Sequence, residues 1–157
     1  MSVAVPAFET TPDRLAREWR KRIAESELPV TVRPMLPTER RLVWDATLGI
    51  RRPRGVKRSD WEDAYGPKID REIDEGAVNV AICGETALGF SLVLRGKVLS
   101  MLYVKAGADF RLRGNGIGLM LLEHTKLSHP VTITSPTREW VKWSAFHGIL
   151  WTREVLR

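Results

Sequence analysis

Leu102-Tyr103-Val104, followed by Phe110-Arg111-Leu112-Arg113-Gly114-Asn115-Gly116-Ile117-Gly118-Leu119-Met120-Leu121-Leu122, is the stretch whose reading decides the fold. An apolar, strand-like run ends at Val104, a basic turn punctuated by glycine follows, and Ile117 to His124 reads as the first turns of a buried helix. Glycines at 114, 116 and 118 let the backbone approach a ligand with no β-carbon in the way. The first amides of a helix lack intrahelical partners, and the helix dipole draws anions to that end. Strand, glycine turn and helix N-terminus therefore form a candidate pyrophosphate cradle, with Arg111 and Arg113 adding positive charge. Two other nucleotide sites are excluded. No Gly-Lys-Ser/Thr closes the turn, as a P-loop requires, and Gly114-x-Gly116-x-Gly118 lacks the spacing of the dinucleotide fingerprint.

Upstream, three apolar runs predict strands at 77–83, 86–94 and 98–104. The turns between them, Gly84-Glu85 and Arg95-Gly96-Lys97, are short and carry glycine, which predicts an antiparallel meander. Downstream, Val131-Thr132-Ile133-Thr134 predicts a fifth strand, β-branched throughout and ended by Pro136. A short helix is expected over Thr137 to Phe146, then Gly148, then a last strand over Ile149 to Leu156.

Nearer the N-terminus, a helix is expected over 10–25, with Thr10 or Thr11 as cap, Pro12 in the first turn and Asp13 favourable to the dipole. Leu15, Trp19 and Ile23 make one apolar stripe on it. The stripe is to be covered by the domain's own sheet, by a second subunit or by a partner. Residues 29–34 predict a first strand, and a helix follows whose buried face is supplied by Leu42, Val43, Ala46 and Leu48. Residues 51–58 read as a basic loop with five cations and no acid, leading to a helix from about Ser59 to Glu75 with Ser59 or Asp60 as cap. The loop is either a plain surface connection or a site for an acidic or nucleic-acid acceptor, with Trp61 as a stacking surface.

Arg113-Gly114-Asn115-Gly116-Ile117-Gly118 resembles the acyl-CoA-binding motif of the GNAT acetyltransferase superfamily, Gln/Arg-x-x-Gly-x-Gly/Ala. Arg111-x-x-Gly114-x-Gly116 also fits, but the Gly-Ile-Gly-x-x-Leu-Leu continuation favours the first register. Val32-Arg33-Pro34 before Thr38-Glu39-Arg40 resembles a common opening of these domains, and Gly89-Phe90 resembles a Gly-Phe/Tyr pair of their third strand. The resemblance covers about residues 29–157 and implies an α/β fold. That fold is a single GNAT-like domain with a mixed, mostly antiparallel central sheet flanked by helices, and residues 1–28 form an N-terminal helical extension.

The resemblance also implies a site. The fifth strand diverges from the fourth, and the pantetheine arm of acetyl-CoA, or of another acyl-CoA, enters the gap. Backbone groups of Leu102, Tyr103 and Val104 pair with the arm, and amides of Arg113, Gly114, Asn115, Gly116, Ile117, Gly118 and Leu119 hold the pyrophosphate. The family often carries a tyrosine acid four residues before a glycine, and counting back from Gly148 gives Ser144. Its frequent asparagine, seven residues earlier, is Thr137, grouped here with the cofactor-binding residues. Tyr103 is the alternative acid, and Glu85, Asp109, Glu123 and His124 are unranked candidates for the base. Lys105 to Leu112 is longer than the family usually allows. The function implied is acyl-CoA-dependent N-acylation of an amine. Competing with it are a GNAT-like domain that binds nucleic acid through its basic N-terminal third, and a GNAT-fold enzyme that modifies a base within DNA, as some phage-encoded relatives do.

A chain of 157 residues suits one domain, and 43% hydrophobic with 28% charged residues is the balance of a soluble globular protein. The single cysteine, Cys83, excludes an internal disulfide and reads as a small buried hydrophobe. His124, His129 and His147 show no metal-ligand spacing, so no metal site is expected. The N-terminus has no basic segment before its apolar run and no stretch is long enough to span a bilayer, which makes the cytoplasm the expected compartment. The net charge of +6 lies wholly in residues 1–58, with 13 Lys/Arg against 7 Asp/Glu. Such asymmetry fits a polyanionic partner or a solvated surface. Trp19, Trp140, Trp143 and Trp151 are candidates for the core or, in part, for a homodimer interface.

Overall fold

Alternating apolar positions and tight glycine turns place β2 (Ala77–Cys83), β3 (Thr86–Leu94) and β4 (Val98–Val104) side by side as an antiparallel meander. A computed structural model describes residues 11–26, 30–105 and 116–154, with the side chains of 19 and 22–26 outside the description. β1 (Val30–Pro34) adds antiparallel to β2, while β5 (Val131–Ile133) and β6 (Trp151–Arg153) add parallel beyond β4. The result is one six-stranded sheet in sequential order, mixed and mostly antiparallel, with helices on both faces.

Side-chain alternation divides the core. Val78, Val80, Ile82, Phe90, Leu92 and Met101 point to one face. There α2 (Arg40–Arg51) lays down Val43 and Leu48, and α3 (Arg58–Glu75) lays down Ile69 and Ile73. On the other face lie α1 (Thr11–Ser26), α4 (Ile117–Thr125) and α5 (Arg138–His147). Every residue of α4 from Ile117 to Leu122 is buried, because sheet, α1 and α5 enclose it; such a helix shows no polar stripe.

At Leu15 the apolar stripe of α1 is covered within the chain. Leu15 is fully buried in one cluster with Leu119, Leu122 and Trp140. Arg14 Nη2 donates to the carbonyls of His147 (2.5 Å) and Gly148 (2.9 Å), where the C-terminal end of α5 carries partial negative charge. His147 Nδ1 lies 2.8 Å from Glu18 Oε1 on the next turn of α1.

Several boundaries differ from the sequence expectation. α3 starts at Arg58 rather than Ser59, because the Trp61 amide bonds the Lys57 carbonyl (3.0 Å) and makes Lys57 the cap. Arg51 and Arg58 thereby leave the loop and join helix ends. β6 is shorter than 149–156, since the Ile149 amide turns back to the Ser144 carbonyl (2.8 Å) to finish α5. Thr134 lies beyond the end of β5. Cys83 is only half-buried, at the end of β2. Among the tryptophans, Trp140 is buried, Trp143 and Trp151 pack partly buried against the same cluster, and the Trp19 side chain lies outside the described residues.

Between α4 and β5, both ring nitrogens of His129 are buried without a hydrogen-bond partner. Burial holds this imidazole below its ordinary pKa of 6.5, the Arg14 charge lowers it further, and the backbone at Leu127 partly offsets the two. The unfolded chain therefore binds a proton first as pH falls through about 6.5, and the fold loses stability from there down to the folded-state pKa. The His129→Phe variant is expected to lose less melting temperature than the parent between about pH 7 and about pH 5.5, as thermal melts across that range would show.

Candidate functional site

β4 and β5 are joined at one end only. Val98 pairs with Thr132 and Leu99 with Ile133, and the Thr134 amide still reaches the Leu99 carbonyl at 3.3 Å. Beyond that point β4 stays with β3 up to Val104, while the chain after β5 turns through Ser135-Pro136 into α5. The two strands fork.

A bulge sets which backbone groups face the fork. In the β3–β4 ladder Val93 faces Leu99 and Leu92 faces Met101, so Ser100 is an extra residue in β4. The Lys105 amide bonds the Leu88 carbonyl at 2.7 Å. Alternation along an antiparallel ladder then turns the N–H and C=O of Tyr103 toward β3, and those of Leu102 and Val104 toward the open side. Strand groups left without a strand partner, as these are among the described residues, take a further extended chain as partner.

The N-terminus of α4 stands at the same end. Gly116 is its cap, in a left-handed conformation (φ +80°) that disfavours any side chain, and its carbonyl accepts from the Met120 amide at 2.9 Å. The amides of Ile117, Gly118 and Leu119 are first-turn donors with no acceptor within the helix. Ile117 shares a core cluster with Leu102 and Val104, which fixes the helix end beside the open edge. Gly118 has a packing reason as well: a β-carbon there would come 3.1 Å from the Trp143 ring of α5. Arg111, Arg113, Gly114, Asn115 and Asp109 lie outside the described residues, as does most of the long Lys105–Leu112 connection.

A cavity of about 250 Å³ opens where the strands part. Ile50 and Arg51 of α2 and Trp61 and Tyr65 of α3 form one wall, and Ser135, Pro136 and Thr137 form the other. Trp61 and Tyr65 stack with ring centroids 4.5 Å apart, and Trp61 Nε1 donates to the Leu48 carbonyl (3.2 Å), so one face of Trp61 is already covered. Thr137 caps α5, its Oγ1 accepting from the Trp140 amide at 3.1 Å.

The two candidate acids are not brought together. Tyr103 is half-buried under α2 and α3, its ring 5.4 Å from that of Phe90. Ser144 is fully buried in α5, its hydroxyl donating to the Val141 carbonyl at 3.2 Å. Of the candidate bases, Glu85 is exposed on the β2–β3 turn, Glu123 is half-buried on α4 and His124 is exposed there.

Sequence reasoning missed the carboxylate at the fork. Glu72 meets Arg51 Nη1 at 2.5 Å and accepts from Ser100 Oγ at 2.9 Å. The two charged side chains are 11% and 9% exposed, so the pair is internal. Nothing local in a helix reading Lys68-Ile69-Asp70-Arg71-Glu72 distinguishes Glu72 from its solvated neighbours.

No protein-family model matches this chain, and no curated protein matches it. Among solved structures, it is similar to a crystal structure from Rhodopseudomonas palustris named as a GCN5-related N-acetyltransferase, "Aminotransferase, Class-II". The TM-score is 0.53 at 17% identity, over 74% of this chain and 78% of that one. The fold is GNAT-like. At this identity the likeness concerns architecture, and within the GNAT-like fold the site rests on the geometry above. No helix among the described residues is long and apolar enough to cross a membrane, and no three His, Cys, Asp or Glu among them stand close enough to hold a metal ion.

Charge pairing reduces the basic surface foreseen for the N-terminal third. Arg33 pairs with Glu39, Arg40 with Asp70 and Asp74, Arg41 and Arg58 with Asp45, and Arg51 with Glu72. Of the five cations at 51–58, only Arg52, Arg54 and Lys57 stay exposed and outside these pairs.

Proposed function

We propose that this protein is an acyl-CoA-dependent N-acyltransferase, with acetyl-CoA as acyl donor and a small amine as acceptor. The observation that carries the proposal is the fork: an open backbone edge at Leu102 and Val104, beside helix amides capped by a left-handed Gly116. An extended amide-bearing arm fits the first, and a pyrophosphate fits the second. Arg113, Gly114 and Asn115 are proposed to complete the cradle, with residues 29–157 as the acyl-CoA-binding domain and 1–28 as its helical extension. Bound acetyl-CoA supplies an activated thioester carbonyl for the amine to attack.

The chain's own residues have these roles in the proposal. Leu102 and Val104 offer strand-like hydrogen bonds that hold the arm, and an amide at this edge stabilises the carbonyl oxygen as charge develops on it. The cavity between Arg51, Trp61, Tyr65 and Ser135–Thr137 seats the acceptor, with the Thr137 hydroxyl at the border of the two subsites. Tyr103 is the remaining hydroxyl candidate for protonating the leaving sulfur, since the Ser144 hydroxyl is enclosed and spent on Val141. The nucleic-acid reading draws less support, because five of the N-terminal arginines lie in ion pairs.

Thermal melting with acetyl-CoA tests the proposal. At about a hundredfold excess over its dissociation constant, a ligand specific for the folded state adds about 2.7 kcal/mol, a rise of roughly 5–10 °C for a domain of this size. The Gly116→Trp variant should melt a few degrees lower and show no rise. An unchanged parent at saturating acetyl-CoA would remove the proposal.

A further inference from the structure

Ser100 is the residue that reverses the parity of β4, and two side chains converge on it. Arg51 Nη2 donates to the Ser100 carbonyl (3.2 Å) and to Ser100 Oγ (2.6 Å), while Ser100 Oγ donates to Glu72 Oε1 (2.9 Å). Arg51 Nη1 is taken by Glu72 (2.5 Å) and the Tyr65 hydroxyl (3.1 Å). Ser100 itself is 4% exposed. The backbone ladder can pair one step along on either side of a bulge, so its place is fixed by side chains: Leu99 and Met101 buried on opposite faces, and the contacts to the extra residue itself. Moving the bulge toward Val104 by one pair would turn groups now facing the fork back toward β3.

We propose that Arg51, Glu72 and Ser100 form a clamp that pins the β4 bulge, and that they are positioning residues for the open edge at Leu102 and Val104. Both Glu72 oxygens are engaged, one by Arg51 and one by Ser100, so Glu72 holds a strand rather than accepting a substrate proton. The guanidinium spans helix and strand because its planar fork donates to several acceptors at once, which a lysine cannot reproduce. The proposal rests on the acyltransferase reading for its ligand readout alone.

The test is Ser100→Ala, which keeps the Arg51–Glu72 pair and removes only the hydroxyl between them. Amide exchange by NMR is compared at Tyr103, whose N–H faces β3 beside the bulge, and at Val80 in β2. The clamp predicts exchange at Tyr103 about tenfold faster or more, with Val80 unchanged, and acetyl-CoA affinity about tenfold weaker, the scale of one lost hydrogen bond to a charged group. Unchanged exchange at Tyr103, or equal acceleration at both amides, would overturn it. Selective acceleration in a protein whose parent binds no acetyl-CoA would support the clamp and discard the acyl-CoA reading. Arg51→Lys gives a second reading of the same exchange, and protection of Tyr103 as in the parent would likewise count against the clamp.

Discussion

Glu72→Ala is expected to lower the unfolding free energy by about 3–5 kcal/mol, a large part of the roughly 5–15 kcal/mol a domain possesses. Arg51 is 9% exposed, so little of its charge is solvated once its carboxylate is gone. Its remaining partners, Tyr65 and Ser100, accept hydrogen bonds but carry no charge. The loss is thus that of stranding a buried cation, which exceeds the net value of the pair. Replacing both partners, Arg51→Met with Glu72→Met, should recover most of the stability, because two apolar side chains of similar length fill the space without a desolvation penalty. Urea denaturation of the two variants checks this. A double variant as unstable as Glu72→Ala would show that packing, not charge, dominates the site. By the clamp proposal, the double variant recovers stability without recovering acetyl-CoA affinity.

Gly89→Ala is the second large effect. Gly89 sits opposite Val104 in the β3–β4 ladder, and a β-carbon there would overlap the Tyr103 carbonyl oxygen and come 3.1 Å from Val104 Cα. Both atoms are backbone, so no rotamer change relieves the contact and the strands must separate. The cost is expected at about 3 kcal/mol, the upper end for overpacking. Separation would fall where the edge of β4 meets the fork, so acetyl-CoA stabilisation should be lost as well. Gly84→Ala is the control. That glycine has φ +63° and open space around it, and only left-handed strain of about 1 kcal/mol is expected. Equal melting temperatures for the two variants would show that β3 and β4 do not approach as closely as described.

Gly89-Phe90 also shows how far a sequence pattern reaches. The pair marks the third strand by resemblance, and the structure gives the reason: Gly89 permits close approach of β4, and Phe90 fills the core under α2 and α3. The meander was legible for a similar reason, since its strands are long, apolar and separated by tight turns in which Gly84 and Gly96 take left-handed conformations. Less legible were the ends of elements, where one backbone bond decides. The Trp61 amide on the Lys57 carbonyl moved the start of α3, and the Ile149 amide on Ser144 shortened β6.

Ser144 and Tyr103 illustrate the limit for the site. Counting from Gly148 locates Ser144 but cannot say that its hydroxyl turns into its own helix. A hydroxyl's partner is set by rotamer and packing, neither of which is encoded at a fixed spacing. The basic run at 51–58 is a similar case, since charge in the sequence says nothing of the Glu72 and Asp45 that pair with Arg51 and Arg58 in space.

By itself, then, the chain's local chemistry determined the meander and its direction, the strand ending at Val104 and the buried helix from Ile117, because periodicity and glycine act over a few residues. Tertiary structure alone decided that Leu15 of α1 is buried within its own domain, that β4 and β5 part after Leu99, and that Arg51 and Glu72 meet at Ser100. Those residues stand 21 and 28 positions apart. Only the packing of α2 and α3 against the sheet brings them within hydrogen-bond reach.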